Sequence, residues 1–334
     1  MKTLELFTSI AAKVTNYISF PNLGIDEIKI NEVAFTIPGT NITVAWYGLI
    51  IMFGIIVAFT YILLMSKKRS GLITDDLLDI AIFTVIPAIV GARLYYVFFD
   101  WLKNPSRYKS LYDVIAVWEG GLAIYGAIIF GAIGCFLTLK HKKIRVPLFF
   151  DYLCPAVMIA QSIGRWGNFA NGEAYGSSTT SIFAMTIRSV WTTIAEDGKV
   201  SELATEVVSN VHPTFLYESV WNLIGFALLT FLIFRKKYDG QVALGYFAWY
   251  GAGRMIIEGL RQDSLYIGGT GIRVSQLLAF ISFIAASALF VLFMIKIKGK
   301  KLSDSIYLTA PTAANEASEE TDTAEKEDNN GENN

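Results

Sequence analysis

Seven long apolar runs dominate this chain: Val44–Met65, Leu77–Phe99, Gly120–Leu139, Val146–Ile163, Phe215–Phe234, Val242–Leu260 and Val274–Ile295. A helix needs about 20 mostly apolar residues to cross the hydrocarbon of a bilayer. Composition agrees: 17% of the 334 residues are charged and 53% are hydrophobic, where a soluble domain carries about 25% charged residues. The expected fold is all-α, a polytopic membrane protein with seven transmembrane helices. Two runs are the least apolar, one holding Asp151 and Pro155 and the other Arg254 and Glu258. Omitting either would break the charge alternation that orients the chain.

Basic residues follow the first run (Lys67, Lys68, Arg69), the third (Lys140, Lys142, Lys143, Arg145), the fifth (Arg235, Lys236, Lys237) and the seventh (Lys296, Lys298, Lys300, Lys301). Loops rich in Lys and Arg stay in the cytoplasm, so the N-terminus is expected outside and the C-terminus inside. This divides the chain into an N-terminal external or interfacial segment (1–43), a seven-helix membrane domain (44–296) and a cytoplasmic tail (297–334). The external insertion 174–213 serves as an arm, cap or docking surface. Residues 100–118 mix aromatic and basic side chains, as an interfacial helix does.

At the N-terminus, Glu5 and Lys13 interrupt the apolar core a signal peptide would need. Leu4, Phe7, Ile10, Ala11, Val14 and Ile18 fall at helical spacing and predict a helix lying on the membrane surface. From Pro311 onward the tail is acidic, lacks aromatics and is expected to be disordered. Cys135 and Cys154 sit inside apolar runs as small hydrophobes, and with only two histidines neither a metal site nor a disulfide framework is expected.

With the chain oriented, its intramembrane polar residues gather at the outer ends of the spans. They are Tyr47, Arg93, Glu119, Tyr125, Arg165, Asn168, Asn171, Glu173, His212, Tyr217, Glu218, Arg254, Glu258 and Arg261. The inner half holds only Asp79 and Asp151. Arg254, Glu258 and Arg261 share one helical face, which must look into the bundle because arginine in lipid is strongly unfavourable. A one-sided, arginine-rich pocket suits an anionic head group, most simply a phosphate held by guanidinium. Carboxylates in it either orient the arginines or act as bases. A transporter for an anionic solute is the alternative, but it needs a polar path through both halves and often inverted repeats. An intramembrane protease would need a placed serine or paired aspartates.

The stretch "GRWGNFANGEAYG" (Gly164–Gly176) resembles the signature of the bacterial phosphatidylglycerol–prolipoprotein diacylglyceryl transferases, departing only at Ala170, where a larger apolar residue is usual. Further matches are "WYGL" (Trp46–Leu49), "GARLYYV" (Gly91–Val97), "WEGGLAIYG" (Trp118–Gly126), "HPTFLYE" (His212–Glu218) and "YGAGRMIIEGLRQD" (Tyr250–Asp263). The resemblance implies transfer of the diacylglyceryl group of phosphatidylglycerol to the signal-sequence cysteine of prolipoproteins at the bacterial cell membrane. A thioether forms and glycerol phosphate is released, with no cofactor, metal or nucleic acid.

It further implies that Arg165 and Arg254 are catalytic, that Arg165 binds the phospholipid, and that Tyr47, Asn168 and Gly176 are functional positions. Arg93, Asn171, Glu173, His212, Glu218, Glu258 and Arg261 complete the expected substrate-binding set. Tyr125 stands where many members carry histidine. A phenol is a weaker base than imidazole near neutral pH, so Tyr125, Glu173, Glu218 and Glu258 compete as proton acceptor.

Overall fold

The computed structural model describes residues 13–39, 43–69, 72–117, 120–194, 200–261 and 273–297. Glu119, most of the expected N-terminal helix and the acidic tail lie outside the described residues. The protein is mostly helical. Among the described residues six helices are long and apolar enough to cross a membrane: α1 (Trp46–Arg69), α2 (Thr74–Lys103), α4 (Ile124–His141), α5 (Val146–Asn171), α6 (Thr214–Arg235) and α8 (Val274–Ile297). A short α3 (Leu111–Ile115) starts at a capping box between Ser110 and Asp113. The sixth expected span is the 18-residue helix α7 (Gln241–Glu258), where Gln241, Arg254 and Glu258 dilute the apolar character and keep it outside that set of six. Large apolar side chains such as Phe53, Ile56 and Leu64 turn outward, as lipid-facing surfaces do.

An all-α fold is not what the structure shows. Strands β1 (Lys13–Phe20), β2 (Ile25–Asn31), β5 (Met185–Ile194) and β6 (Val200–Val211) form an antiparallel sheet in the order β2-β1-β5-β6. Strands β3 (Val33–Thr36) and β4 (Thr43–Ala45) form a separate hairpin. The expected surface helix is thus a strand from Lys13 onward. Its side chains alternate, with Asn16, Ile18 and Phe20 buried, the period of two that a half-buried strand requires. Ile18, Phe20, Met185, Ile187, Val211 and Phe215 make one apolar core under this sheet, joined by Phe169 from the end of α5. That core fixes where α5 ends and α6 begins.

The described residues form two compact units, one within 13–61 and 153–297 and the other within 62–152. Within the first, the Trp221 and Trp249 rings stack at 4.5 Å. Trp221 Nε1 donates to the Trp249 carbonyl at 3.1 Å, and Trp249 Nε1 to the Trp221 carbonyl at 3.0 Å. A Cβ on Gly253 would meet Trp221 Nε1 at 2.1 Å, so only glycine admits this clasp. Glu218 lies three residues before Trp221 and Arg254 follows Gly253, so the clasp sets the register at which those two meet.

Within the second unit, α2 and α4 approach at small residues. A Cβ on Gly126 would lie 2.2 Å from the Gly91 carbonyl oxygen, and one on Gly134 2.0 Å from that of Phe83. Backbone contact of this kind is how membrane helices gain packing without a hydrophobic drive. The expected third span begins four residues late, at Ile124, because Gly120 and Gly121 adopt φ of 86° and 66°.

Candidate active site

The signature stretch folds as a helix end. Asn171 closes α5, and Gly172 follows in the left-handed region (φ 64°). Gly172 N–H donates to the Phe169 carbonyl at 3.1 Å and Glu173 N–H to the Asn168 carbonyl at 3.1 Å, the two bonds of a Schellman motif. A further carbonyl of this terminus, Ala170, accepts from Asn16 Nδ2 at 3.0 Å. The turn folds Glu173 back onto the helix. Its Oε1 accepts from Asn168 Nδ2 at 3.0 Å and from Asn171 Nδ2 at 3.4 Å. Asn168 Oδ1 in turn accepts from Arg165 Nη1 at 3.3 Å.

Arg165 also pairs with Glu218 Oε2 through Nη2. The other oxygen, Oε1, lies 3.0 Å from Arg254 Nη1 and 3.8 Å from Arg261 Nη1. Arg254 Nη2 pairs with Glu258 Oε2 at 2.7 Å. Residues from α5, α6 and the end of α7 therefore converge on one carboxylate. Among the described residues the guanidiniums of Arg165, Arg254 and Arg261 face the carboxylates of Glu218 and Glu258. Both carboxylates are buried (Glu218 4% and Glu258 3% exposed), while the Arg165 and Arg254 side chains keep 21% and 19% exposure. Accessible cations backed by buried anions make a site for an anionic ligand.

Gly176 joins the insertion to this cluster. Its N–H donates to the His212 carbonyl at 2.9 Å, Ser177 N–H donates to the Leu260 carbonyl at 2.7 Å, and Gly176 bridges to Arg261. A Cβ there would meet His212 Cβ at 2.7 Å and the Leu260 oxygen at 2.9 Å. His212 Nδ1 lies 3.3 Å from the Tyr217 hydroxyl. Tyr47 packs across Gly167, where a Cβ would lie 2.8 Å from its ring.

Two expected residues belong to the second unit. Arg93 is buried, and its guanidinium serves backbone carbonyls: Nε to Val114 at 2.8 Å, Nη2 to Asp113 at 2.8 Å, and Nη1 to Gly120 at 2.6 Å and Gly121 at 3.2 Å. Tyr125 is 64% exposed, with its ring 6.3 Å from that of Tyr95.

Several participants escaped the reading of the sequence. Arg273 donates to the Glu258 carbonyl and Ser275 Oγ to Glu258 Oε1 at 2.7 Å. Both open α8, and an arginine at the mouth of an apolar run was the available signal. Ser162 and Ser219 exchange hydroxyl-to-carbonyl bonds at 2.8 and 2.9 Å, and Trp166 Nε1 donates to Ser219 Oγ at 3.2 Å. This knot borders an apolar groove of about 670 Å³ whose walls include Trp46, Leu49, Phe53, Ile163, Trp166 and Val220. Trp166 and Ser219 are the chain neighbours of Arg165 and Glu218, so groove and charged cluster adjoin.

Residues 32–292 match the family model described as prolipoprotein diacylglyceryl transferase. A protein of Enterococcus faecalis named phosphatidylglycerol–prolipoprotein diacylglyceryl transferase is 42% identical over 274 residues, 77% of this chain and 88% of that protein. Proteins of the same name from Streptococcus sanguinis and Streptococcus uberis are 44% and 40% identical, over 72% and 71% of this chain and 87% and 85% of their own lengths.

Proposed function

The chain belongs to the prolipoprotein diacylglyceryl transferase family, and on that premise we propose that it transfers the diacylglyceryl group of phosphatidylglycerol to the cysteine thiol of a prolipoprotein signal sequence. The sulfur forms a bond to the glycerol carbon, the carbon–oxygen bond to phosphate breaks, and glycerol phosphate departs with that electron pair. The thiol proton passes to a base, because thiolate is the nucleophile. The observation that carries the reading is the set of guanidiniums gathered on Glu218 beside an apolar groove. Arg165 and Arg254 hold the phosphate and stabilise the charge that develops on it, and the groove receives acyl chain.

Tyr125 is the proton acceptor in this reading. Glu218 and Glu258 are engaged by arginines, and Glu173 is held by two amides. Asn168, Asn171 and Glu173 orient Arg165, while Tyr47, Gly176, His212 and Arg261 shape the pocket around it.

The site faces the outer leaflet of the bacterial cytoplasmic membrane. Positive loops after α1, α4, α6 and α8 support an external N-terminus and a cytoplasmic C-terminus. Pairing of β1 with β5 supports four crossings between them, since paired strands lie on one side of the bilayer. The bonds of Gly176 and Ser177 to the end of α7 support a return crossing by α7, hence seven spans.

Mass spectrometry of a lipoprotein-signal peptide incubated with the purified protein and phosphatidylglycerol tests the activity. A diacylglyceryl mass increment on the cysteine is expected, and an unmodified peptide with intact, folded enzyme overturns the proposal.

A further inference from the structure

A second cavity, of about 250 Å³, lies between the sheet and the turn that follows α5. It is smaller than the roughly 300–1,000 Å³ pockets that take drug-sized ligands, and it has room for one long side chain. One wall is a polar row across three strands. Asn16 pairs with Ser189, and Ser189 with Glu206. Asn16 and Ser189 satisfy each other (Ser189 Oγ to Asn16 Oδ1, 2.7 Å), and Asn16 Nδ2 is taken by Ala170. Among the described residues Glu206 has no cationic partner.

Glu32, from the link between β2 and β3, Asn171 and the rings of Tyr175 and Trp191 also face the cavity, together with the apolar Val14, Ile187 and Val208. Burial, reinforced by the neighbouring Glu173 carboxylate, holds Glu32 above the usual carboxylate range. Asn171 Oδ1 is buried and accepts no hydrogen bond among the described residues. The cavity therefore presents two carboxylates and an idle amide oxygen, all acceptors, beside two aromatic rings. That lining calls for a donor-rich cation, which the rings also attract.

We propose that this cavity is a subsite for one lysine or arginine side chain of the acceptor polypeptide, in the segment that follows the modified cysteine. This rests on the transferase reading above. The cavity shares Asn171 with the site: Asn171 and Asn168 both hold Glu173, and Asn168 holds Arg165. A peptide whose cysteine reaches Arg165 continues outward past this turn, where the oriented chain places the sheet. The subsite thus reads charge just beyond the cysteine and selects among precursors.

The test uses full-length protein in phosphatidylglycerol vesicles and a series of signal peptides. These differ only in carrying Lys, Gln or Glu at each of the second to sixth positions after the cysteine. At one or two positions Lys should lower KM by about five- to tenfold relative to Gln, as a charge-assisted contact in a partly buried site would. Glu should raise KM, and kcat should stay within about twofold throughout. The Lys–Gln difference should collapse in the double variant Glu32→Gln/Glu206→Gln and narrow in each single one. Equal KM for Lys and Gln peptides at every position, or a preference that survives the double variant, overturns the subsite. Equilibrium binding of fluorescent peptides with serine in place of the cysteine reads the same charge dependence without turnover. Failure of transfer for every peptide would therefore count against the transferase reading, and loss of charge discrimination in binding against the subsite.

Discussion

Glu218 presents one carboxylate oxygen to Arg254, at 3.0 Å, and the other to Arg165, so a single buried side chain on α6 ties together arginines of α5 and α7. Its value lies in placement: it holds two cations side by side, each still partly exposed. Replacement by glutamine keeps the shape and removes the charge that gathers them. Glu218→Gln should lower kcat/KM for phosphatidylglycerol by about 100-fold, the scale expected when a catalytic group shifts by about 1 Å. Steady-state kinetics on the reconstituted enzyme checks this, and a variant within twofold of wild type would remove Glu218 from the site.

Arg93 makes a contrasting case. Its four bonds to carbonyls of the segment after α2 predict a fault in stability first. Arg93→Lys leaves buried carbonyls unmatched, because an ammonium has no planar fork. A cost of about 2–4 kcal/mol is expected, seen as a lower unfolding temperature in detergent. An unchanged unfolding temperature with lost activity would instead place Arg93 at the substrate.

Gly176→Ala puts a methyl group 2.7 Å from His212 Cβ and 2.9 Å from the Leu260 oxygen. The strand link to Arg261 must open. Transfer should fall by about tenfold or more, as misplacement of a site group predicts, while circular dichroism shows the helices retained. Full activity would mean that the link to Arg261 is dispensable.

Tyr125 is tested by pH. Tyr125→Phe should reduce kcat by about 100-fold, within the usual range for a lost general base. Tyr125→His should restore turnover with its acid limb near pH 6.5, the ordinary value for imidazole. A Phe variant with the wild-type pH–rate profile would pass the role to one of the carboxylates.

The charged cluster was legible because polar residues deep in apolar runs are rare and costly, and because the spacing of Arg254, Glu258 and Arg261 fixes a face. The sheet was not. In β1, Val14 and Ile18 fit a helix as well as a strand, and the residue between them on the buried face is Asn16, a polar side chain that disguises the alternation. Asn16 can be buried only because Ala170 and Ser189, more than 150 residues away, satisfy it. No local pattern carries that information. The partners of Arg93 were hidden for the same reason: sequence gives its depth, but its carbonyl partners appear only once Gly120 and Gly121 turn with positive φ.

The central claim is that Arg165 grips the phosphate of phosphatidylglycerol. Its most direct test is turnover of a fluorescent phosphatidylglycerol by Arg165→Ala reconstituted beside wild-type protein, with insertion and unfolding temperature matched. The account predicts a loss of at least about 100-fold, the scale of removing one electrostatic stabiliser of a transition state. Turnover at the wild-type rate would contradict it.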